Sequence, residues 1–439
     1  MPEASSDPPA SLGEAATWLS GCATLPIDVE TKARLLLLDT LGCLLAGLRH
    51  PEVKQLGQAL RLGFPGDTAW PTSDIKLGPA GLAALGAAAA CWDEACEGNS
   101  SAHGRPGLPV VPSLLALSAT RDANLGDLLL ALVTGYEIGA RAGEVWRVPP
   151  GWHVDGSWHS LSVAAAVARL TFGPQAIQPA IEAAACQIPA SLYLPIAAGS
   201  VLRNTYPAHA VLLGMLSAAA ATAGFDMPPG ALEEGRRRVL RATSVVPATP
   251  AGRWMILDGY LKPFAGVRHT HYGVEASLRL RRHREFSVDK IRSVRLRTYG
   301  EAVQYCGNRA PRTAIQAQFS LSYAIAAALL YGDLGPSAYT DIGHPTIRRL
   351  EQSVVIETDP SLLRRGATVS IDVDGTSLTE SVDDVAGDPA KPMTKDEVVA
   401  KFRRFTEPSL SELHAELLAR FILEGDRTEP AGKCFALGG

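Results

Sequence analysis

The chain has 439 residues, of which 46% are apolar and 20% charged, and a formal net charge of -4. That length makes two domains the natural reading, and the apolar fraction supplies ample material for a packed interior. The slightly acidic balance excludes a general nucleic-acid surface and gives no attraction to anionic membrane.

The opening stretch, Met1 to Leu12, carries Glu3 and Asp7 but no Lys or Arg, so neither a secretory nor a mitochondrial signal is expected there. The seven cysteines are odd in number and scattered, without the two-residue gap of a zinc or redox site, which suits reduced thiols in a cytoplasm. The apolar runs at 35–48 and 210–224 are interrupted by charge or Gly and are too short to span a bilayer. The expectation is a cytoplasmic protein with no membrane and no nucleic-acid partner.

From about residue 12 to 245 the pattern predicts helices over 33–48, 81–92, 108–120, 125–145, 161–170, 176–187 and 210–223, rich in Ala and Leu and punctuated by Gly or Pro. Several are apolar on more than one face, as helices packed inside a bundle are. Ser113 and Asp122 are candidate caps for local starts. After Pro247 the texture changes. Residues 286–299 alternate apolar and charged side chains, 354–358 and 368–382 do the same, and Asp374-Gly375 marks a hairpin within the last. A helix is expected over 316–331, another after Pro392 and a third over 409–423. The fold class read from this is mainly α with α+β: a helical domain over 1–254, a smaller α+β domain over 255–390, and terminal helices over 391–439 that rejoin the first.

Four polar segments stand out in this apolar background. Cys91 to Gly107 gathers Asp93, Glu94, Glu97, His103 and Arg105 where an Ala-rich helix opens into a loop, a favoured place for catalytic groups. Gly151 to Ser160 holds His153, Asp155 and His159; no Gly-x-Ser-x-Gly elbow accompanies its serines, and the histidine spacing is not that of a metal site. Gly199 to His209 sets Arg203 beside a Gly-Ser turn before a helix, a setting suited to carboxylate binding. Lys262 to His271 places Lys262, Arg268, His269 and His271 within ten residues. Such a cluster in an acidic chain reads as a pocket for anionic groups, with histidines able to move protons near neutrality. Each segment taken alone is also explained as a capped helix end or a solvated turn; only their convergence would make a site.

At these segments the chain resembles the MmgE/PrpD family, whose members include 2-methylcitrate dehydratase, cis-aconitate decarboxylase and iminodisuccinate epimerase. The similarity takes in Leu38-Asp39 to Gly47, the Asp93 to His103 loop with Val110-Val-Pro112, Gly135-Tyr-Glu137, Gly151-Trp-His153, Gly199-Ser-x-x-Arg203, Lys262-Pro-Phe to His271, Gln318 to Tyr323 and Gly387-Asp-Pro-x-x-Pro392-Met. It implies a helical domain built from both chain ends, an inserted α+β domain, an interdomain active site, a homodimer, and no metal or organic cofactor. It marks Asp93, His103, His153, Lys262 and His271 as catalytic; beside them, Arg203, Arg268, His269, His159, Glu97 and Tyr323 are expected against the substrate. The chain departs from the family at Arg105, at Arg203 where Lys is common, at Ala265-Gly-Val267 and at His159, which argues against 2-methylcitrate as substrate. Arg203 keeps the charge but does not surrender a proton.

The expected function is a cofactor-independent lyase, dehydration first and decarboxylation next, acting by proton abstraction beside a carboxylate of a small di- or tricarboxylate. An epimerase, isomerase or cyclase acting on a specialised metabolite is the alternative, and a non-catalytic helical binding protein the remaining one.

Overall fold

The computed structural model describes residues 11–241, 248–362, 364–407 and 409–438. The readings made at residues 1–10 and at Pro247 lie outside them. The helix Pro79–Cys91 is Ala, Gly and Leu almost throughout, and every residue from Gly81 to Cys91 is buried. With no polar face to leave in water, it can only be an interior helix. It packs on Ile27–Gly47, whose last two turns are also fully buried. The closest approach is at Gly47, where a Cβ would lie 2.0 Å from the Ala89 carbonyl oxygen. Val110–Ser118, Leu125–Val145, His159–Phe172 and Tyr206–Thr222 complete the bundle.

The cap expected at Asp122 is instead Asn124, whose side chain accepts from the Asp127 N–H. Ser113 lies inside its helix and returns its hydroxyl to the Pro109 carbonyl at 2.7 Å. The helix expected over 316–331 is two, Ala314–Gln318 and Leu321–Tyr331. Ser320 interrupts it because its hydroxyl accepts from the Tyr323 N–H, an N-cap competing with continuation.

The later part of the chain forms a four-stranded sheet. Strand β1 (Ile291–Thr298) lies between β2 (Val354–Thr358), parallel to it, and β3 (Ala367–Val373), antiparallel, with β4 (Thr376–Val382) outside β3. Val294 and Leu296 face Ile371 and Val369 across β1 and β3, all buried. The turn between β3 and β4 puts Asp374 and Gly375 at φ 53° and 91°, the left-handed pair of a two-residue hairpin. Helices Arg268–Leu280 and Leu321–Tyr331 pack together beside this sheet.

The helix Lys395–Thr406 opens with a Thr394/Glu397 capping box and returns to pack on Ile27–Gly47. Lys401 drives its ammonium into the bundle, donating to Asp39 Oδ1 at 2.6 Å and to the Ala95 carbonyl at 2.7 Å. Two short antiparallel ladders tie the loops together: Gly98–Asn99 with Gly259–Tyr260, and Trp152–His153 with Ser191–Leu192. Among the described residues no helix is long and apolar enough to cross a membrane.

Candidate active site

The ladders and the ends of the buried helices deliver the polar loops to one cavity of about 390 Å³, within the range of small-molecule sites. Pro79–Cys91 ends at its floor and the chain turns sharply at Glu94, whose φ of 51° is rare for a non-glycine residue. The turn points Glu94 inward. Lys262, two residues beyond its ladder strand, donates to the Glu94 carbonyl at 2.7 Å and to Oε1 at 3.0 Å. Leu261 is held in place by Gly387, where a Cβ would come within 1.8 Å of the Leu261 carbonyl oxygen.

Two arginines complete a buried charge network. Glu94 Oε2 lies 2.8 Å from Arg203 Nη1 and 3.1 Å from Arg105 Nη1. Asp155 takes the other half of each fork, in contact with Arg105 Nη2 and 3.4 Å from Arg203 Nη2. Burial alone would raise both carboxyls, but for Glu94 the opposing fields of Arg105, Lys262 and Arg203 prevail. For Asp155 the fields of Arg105, His153 and Arg203 prevail in the same way. Both stay ionised, held well below the usual carboxylate range. Three cations thus face two carboxylates, and the core of the site is one positive charge in excess. Cys91 Sγ, Glu94 and Asp155 would suit a metal ion by distance. Their donor atoms, however, are already taken by two guanidiniums and an ammonium, so the set fits the chain's own cations rather than a divalent ion.

Three histidines line the wall, and each is held neutral. Burial pushes the His153 pKa down to about 4 against the pull of Asp155. The Asp155 backbone N–H donates to His153 Nδ1 at 3.1 Å, so the neutral ring carries its proton on Nε2. His103 stands at the mouth with φ 51°. Loss of solvent, then Arg147 and Arg365, bring its pKa to about 4. His269 is bonded through Nδ1 to the Tyr299 hydroxyl at 2.6 Å, and burial takes it to about 3.

The His153 shift has a measurable consequence. Its folded pKa is below that of a free histidine, so the unfolded chain binds the extra proton between pH 6.5 and about 4. Stability contributed by the neutral ring is therefore present above pH 6.5 and lost on acidification. In urea unfolding, the difference between wild type and His153→Asn should decline by up to ~1.4 kcal/mol per pH unit across that window. A pH-independent difference would contradict the assignment.

Arg203, Lys262, Arg268, His103, His153 and His269 therefore meet on one wall, whereas five residues expected at the site do not reach it. Asp93 turns away from Glu94 and faces His50 Nε2 at 3.3 Å, its carbonyl accepting from Gly266 N–H. His271 is wholly buried. Its Nε2 donates to the Gly266 carbonyl at 3.1 Å, and Nδ1 faces Arg268 Nη1 at 3.4 Å, so neither nitrogen is left for a substrate. His159 is stacked on Trp158 at 3.8 Å behind Asp155. Glu97 accepts from the Gly107 N–H at 2.8 Å, and burial lifts its pKa to about 8. Tyr323 gives its hydroxyl to the Ala338 carbonyl at 2.6 Å and stacks on Tyr339. Arg268 is paired with Asp388 and lies over the Tyr260 ring at 4.9 Å. Glu94, Arg105 and Asp155 were visible in the same polar segments, but nothing in the sequence says that they pair; Arg147 and Arg365 had no signal at all.

The MmgE/PrpD N-terminal domain matches residues 14–247 and the MmgE/PrpD C-terminal domain matches residues 264–423. The chain is 25% identical to a cis-aconitate decarboxylase of Aspergillus terreus over 93% of its own length and 92% of the relative's. It is 26% identical to the cis-aconitate decarboxylase of Mus musculus, over 85% and 81%. For the Homo sapiens enzyme of that name the figure is 24%, over 90% and 87%.

Proposed function

Because the chain belongs to the MmgE/PrpD family, we propose that this cavity is the active site of a cofactor-independent lyase acting on a small di- or tricarboxylate. One observation carries the reading: cations outnumber carboxylates around a cavity that also holds three neutral imidazoles. Such a wall stabilises negative charge that develops on a substrate carboxylate, the largest single contribution available to this chemistry. Within the lyases, the likeness to three cis-aconitate decarboxylases favours loss of CO₂ over loss of water, reversing the order expected from sequence alone.

In a decarboxylation the bond to the departing carboxylate breaks, its electron pair spreads into the remaining unsaturated carboxylate, and a proton is delivered to carbon as CO₂ leaves. In a dehydration a base takes the proton beside the carboxylate, and the same electron pair expels β-hydroxide, which leaves as water after protonation. Both pass through an enolate-like anion. In this proposal the His153 Nε2–H donates to that anion, and Lys262, anchored on Glu94, stabilises it and supplies the proton. In the dehydration His103 is the base at the mouth; the decarboxylation abstracts no proton and uses no base. A substrate carboxylate settling near Arg147 and Arg365 cancels part of their field and raises the basicity of His103 on binding. Asp93 and His271 act through the turn at Gly266 that they hold from either side. The homodimer belongs to the same proposal; Leu192, Leu194, Leu202 and Leu216, each more than half exposed on adjoining segments, give it an apolar surface.

Incubation with cis-aconitate and a panel of di- and tricarboxylates in D₂O tests the reading. The expected result is net loss of CO₂ or water, with one deuteron at carbon in a decarboxylation product. Deuterium uptake without net conversion would reassign the protein as an epimerase. Silence across the panel would remove the lyase.

A further inference from the structure

The cations of the cavity fall into two groups. Arg105, Arg203, Lys262 and Arg268 are each bonded to a carboxylate of the chain itself. Arg365, from the loop between β2 and β3, also lines the cavity, yet among the described residues no carboxylate lies within salt-bridge distance of it. Its hydrogen bond is from Nη1 to the Ser100 hydroxyl at 3.3 Å, a long contact to a neutral group. Most of the planar fork is left without a protein acceptor. A guanidinium has five N–H donors in a geometry that matches a carboxylate, and one that is partly desolvated without an acid is a receptor waiting for its anion.

The surroundings of Arg365 favour a carboxylate over a neutral group. Arg365 is only partly exposed and shares the cavity with Tyr260 and with Glu301, whose carboxylate forms no salt bridge with it. His103 and His269, which feel its field, are neutral and offer it no counter-charge. Arg147, the other cation without an acid partner, stands on the same rim but is exposed. An anion in this cavity therefore has Arg365 available to it as well as the Glu94 cluster.

We propose that Arg365 is a specificity-determining residue that receives a second carboxylate of the substrate, one remote from the reacting carbon, across the boundary between the helical bundle and the sheet-bearing part of the chain. The inference rests on the carboxylate reading of the cavity and adds to it the number of carboxylates required. A monocarboxylate can fill the inner region but leaves the outer guanidinium unpaired, at the cost that any desolvated, unmatched charge carries.

Calorimetric titration of the purified protein with propane-1,2,3-tricarboxylate, glutarate and butyrate tests it without needing turnover. Wild type is expected to bind the first two at least tenfold more tightly than butyrate. Arg365→Gln should weaken them by about 10- to 100-fold while changing butyrate by less than about twofold. Arg365→Lys, which restores charge but not the fork, should recover part of the loss. Ser100→Ala, which removes the hydroxyl that Arg365 touches, should leave all three affinities unchanged, whereas a merely structural contact would weaken them together. Unchanged affinities in Arg365→Gln, or an equal loss for all three ligands, would overturn the assignment alone. Failure of wild type to bind any of the three would overturn the carboxylate reading, and this inference with it.

Discussion

Glu94→Gln is expected to lower folding stability by about 3–5 kcal/mol and to remove turnover, although the side chain keeps its size and its turn. In the native protein Arg105, Arg203 and Lys262 face Glu94 and Asp155, all buried. Neutralising Glu94 leaves three cations on one carboxylate, and their burial limits how far water can screen the excess. The amide can accept from only part of the donor set that the carboxylate serves, so Lys262 also loses its anchor. Urea unfolding at pH 7 measures the loss. The second variant Glu94→Gln/Arg105→Met restores the one-charge excess of the wild type and should recover a large part of the stability without recovering activity. If the double variant is less stable than the single, charge imbalance is not what holds this region together. The same burial means that Lys262→Ala should also be destabilising, which a solvated lysine would not be.

For a substrate that is dehydrated, His103→Asn is expected to behave in the opposite way, lowering kcat by ~10²–10⁴ while leaving the urea midpoint within error of wild type. For one that is decarboxylated, where no proton is abstracted, kcat should fall far less. The imidazole stands at the mouth, open to solvent on one side. Asparagine is the appropriate replacement because the residue sits at φ 51°, a region that Asn occupies readily and Ala does not. If His103 is the base, KM for a tricarboxylate should change little while kcat collapses, since the cations are untouched. Retention of more than about a tenth of wild-type kcat in dehydration would transfer the proton-abstraction role to another group. A parallel fall in stability would mark His103 as structural.

The contrast between these two variants mirrors what the sequence can and cannot disclose. Leu125–Val145 and the strands on either side of Asp374-Gly375 were legible because periodicity and turn chemistry are local, and nothing tertiary competes with them. Ser320 was not read as a break because a serine inside an apolar helical run has no local mark that separates a cap from a surface residue. At the site, a lone Lys, Arg or His in an otherwise apolar segment is conspicuous, and Lys262, Arg203, His103 and His153 were found that way. Asp93 and Glu94 are adjacent and chemically alike. Which of them faces the cavity is decided by one backbone angle at Glu94, and a sequence does not print backbone angles. His271 and Tyr323 carry groups typical of active sites, but here those groups close hydrogen bonds to backbone carbonyls. Arg365 was invisible for the reverse reason: an arginine in a strand-connecting loop looks like any surface charge until the neighbouring bundle is seen to surround it.

The bond from Lys401 to Asp39 and to the Ala95 carbonyl has a temporal meaning as well as a spatial one. Asp39 leaves the ribosome 362 residues ahead of the ammonium that neutralises it, an interval of roughly 20–70 s at ~5–20 residues per second. Until then the one ammonium that hydrogen-bonds this buried carboxylate is missing, and only the fields of Lys32 and later Lys262 act on it. The nascent polypeptide therefore carries most of the cavity-lining side chains well before the bond that closes this part of the bundle can form.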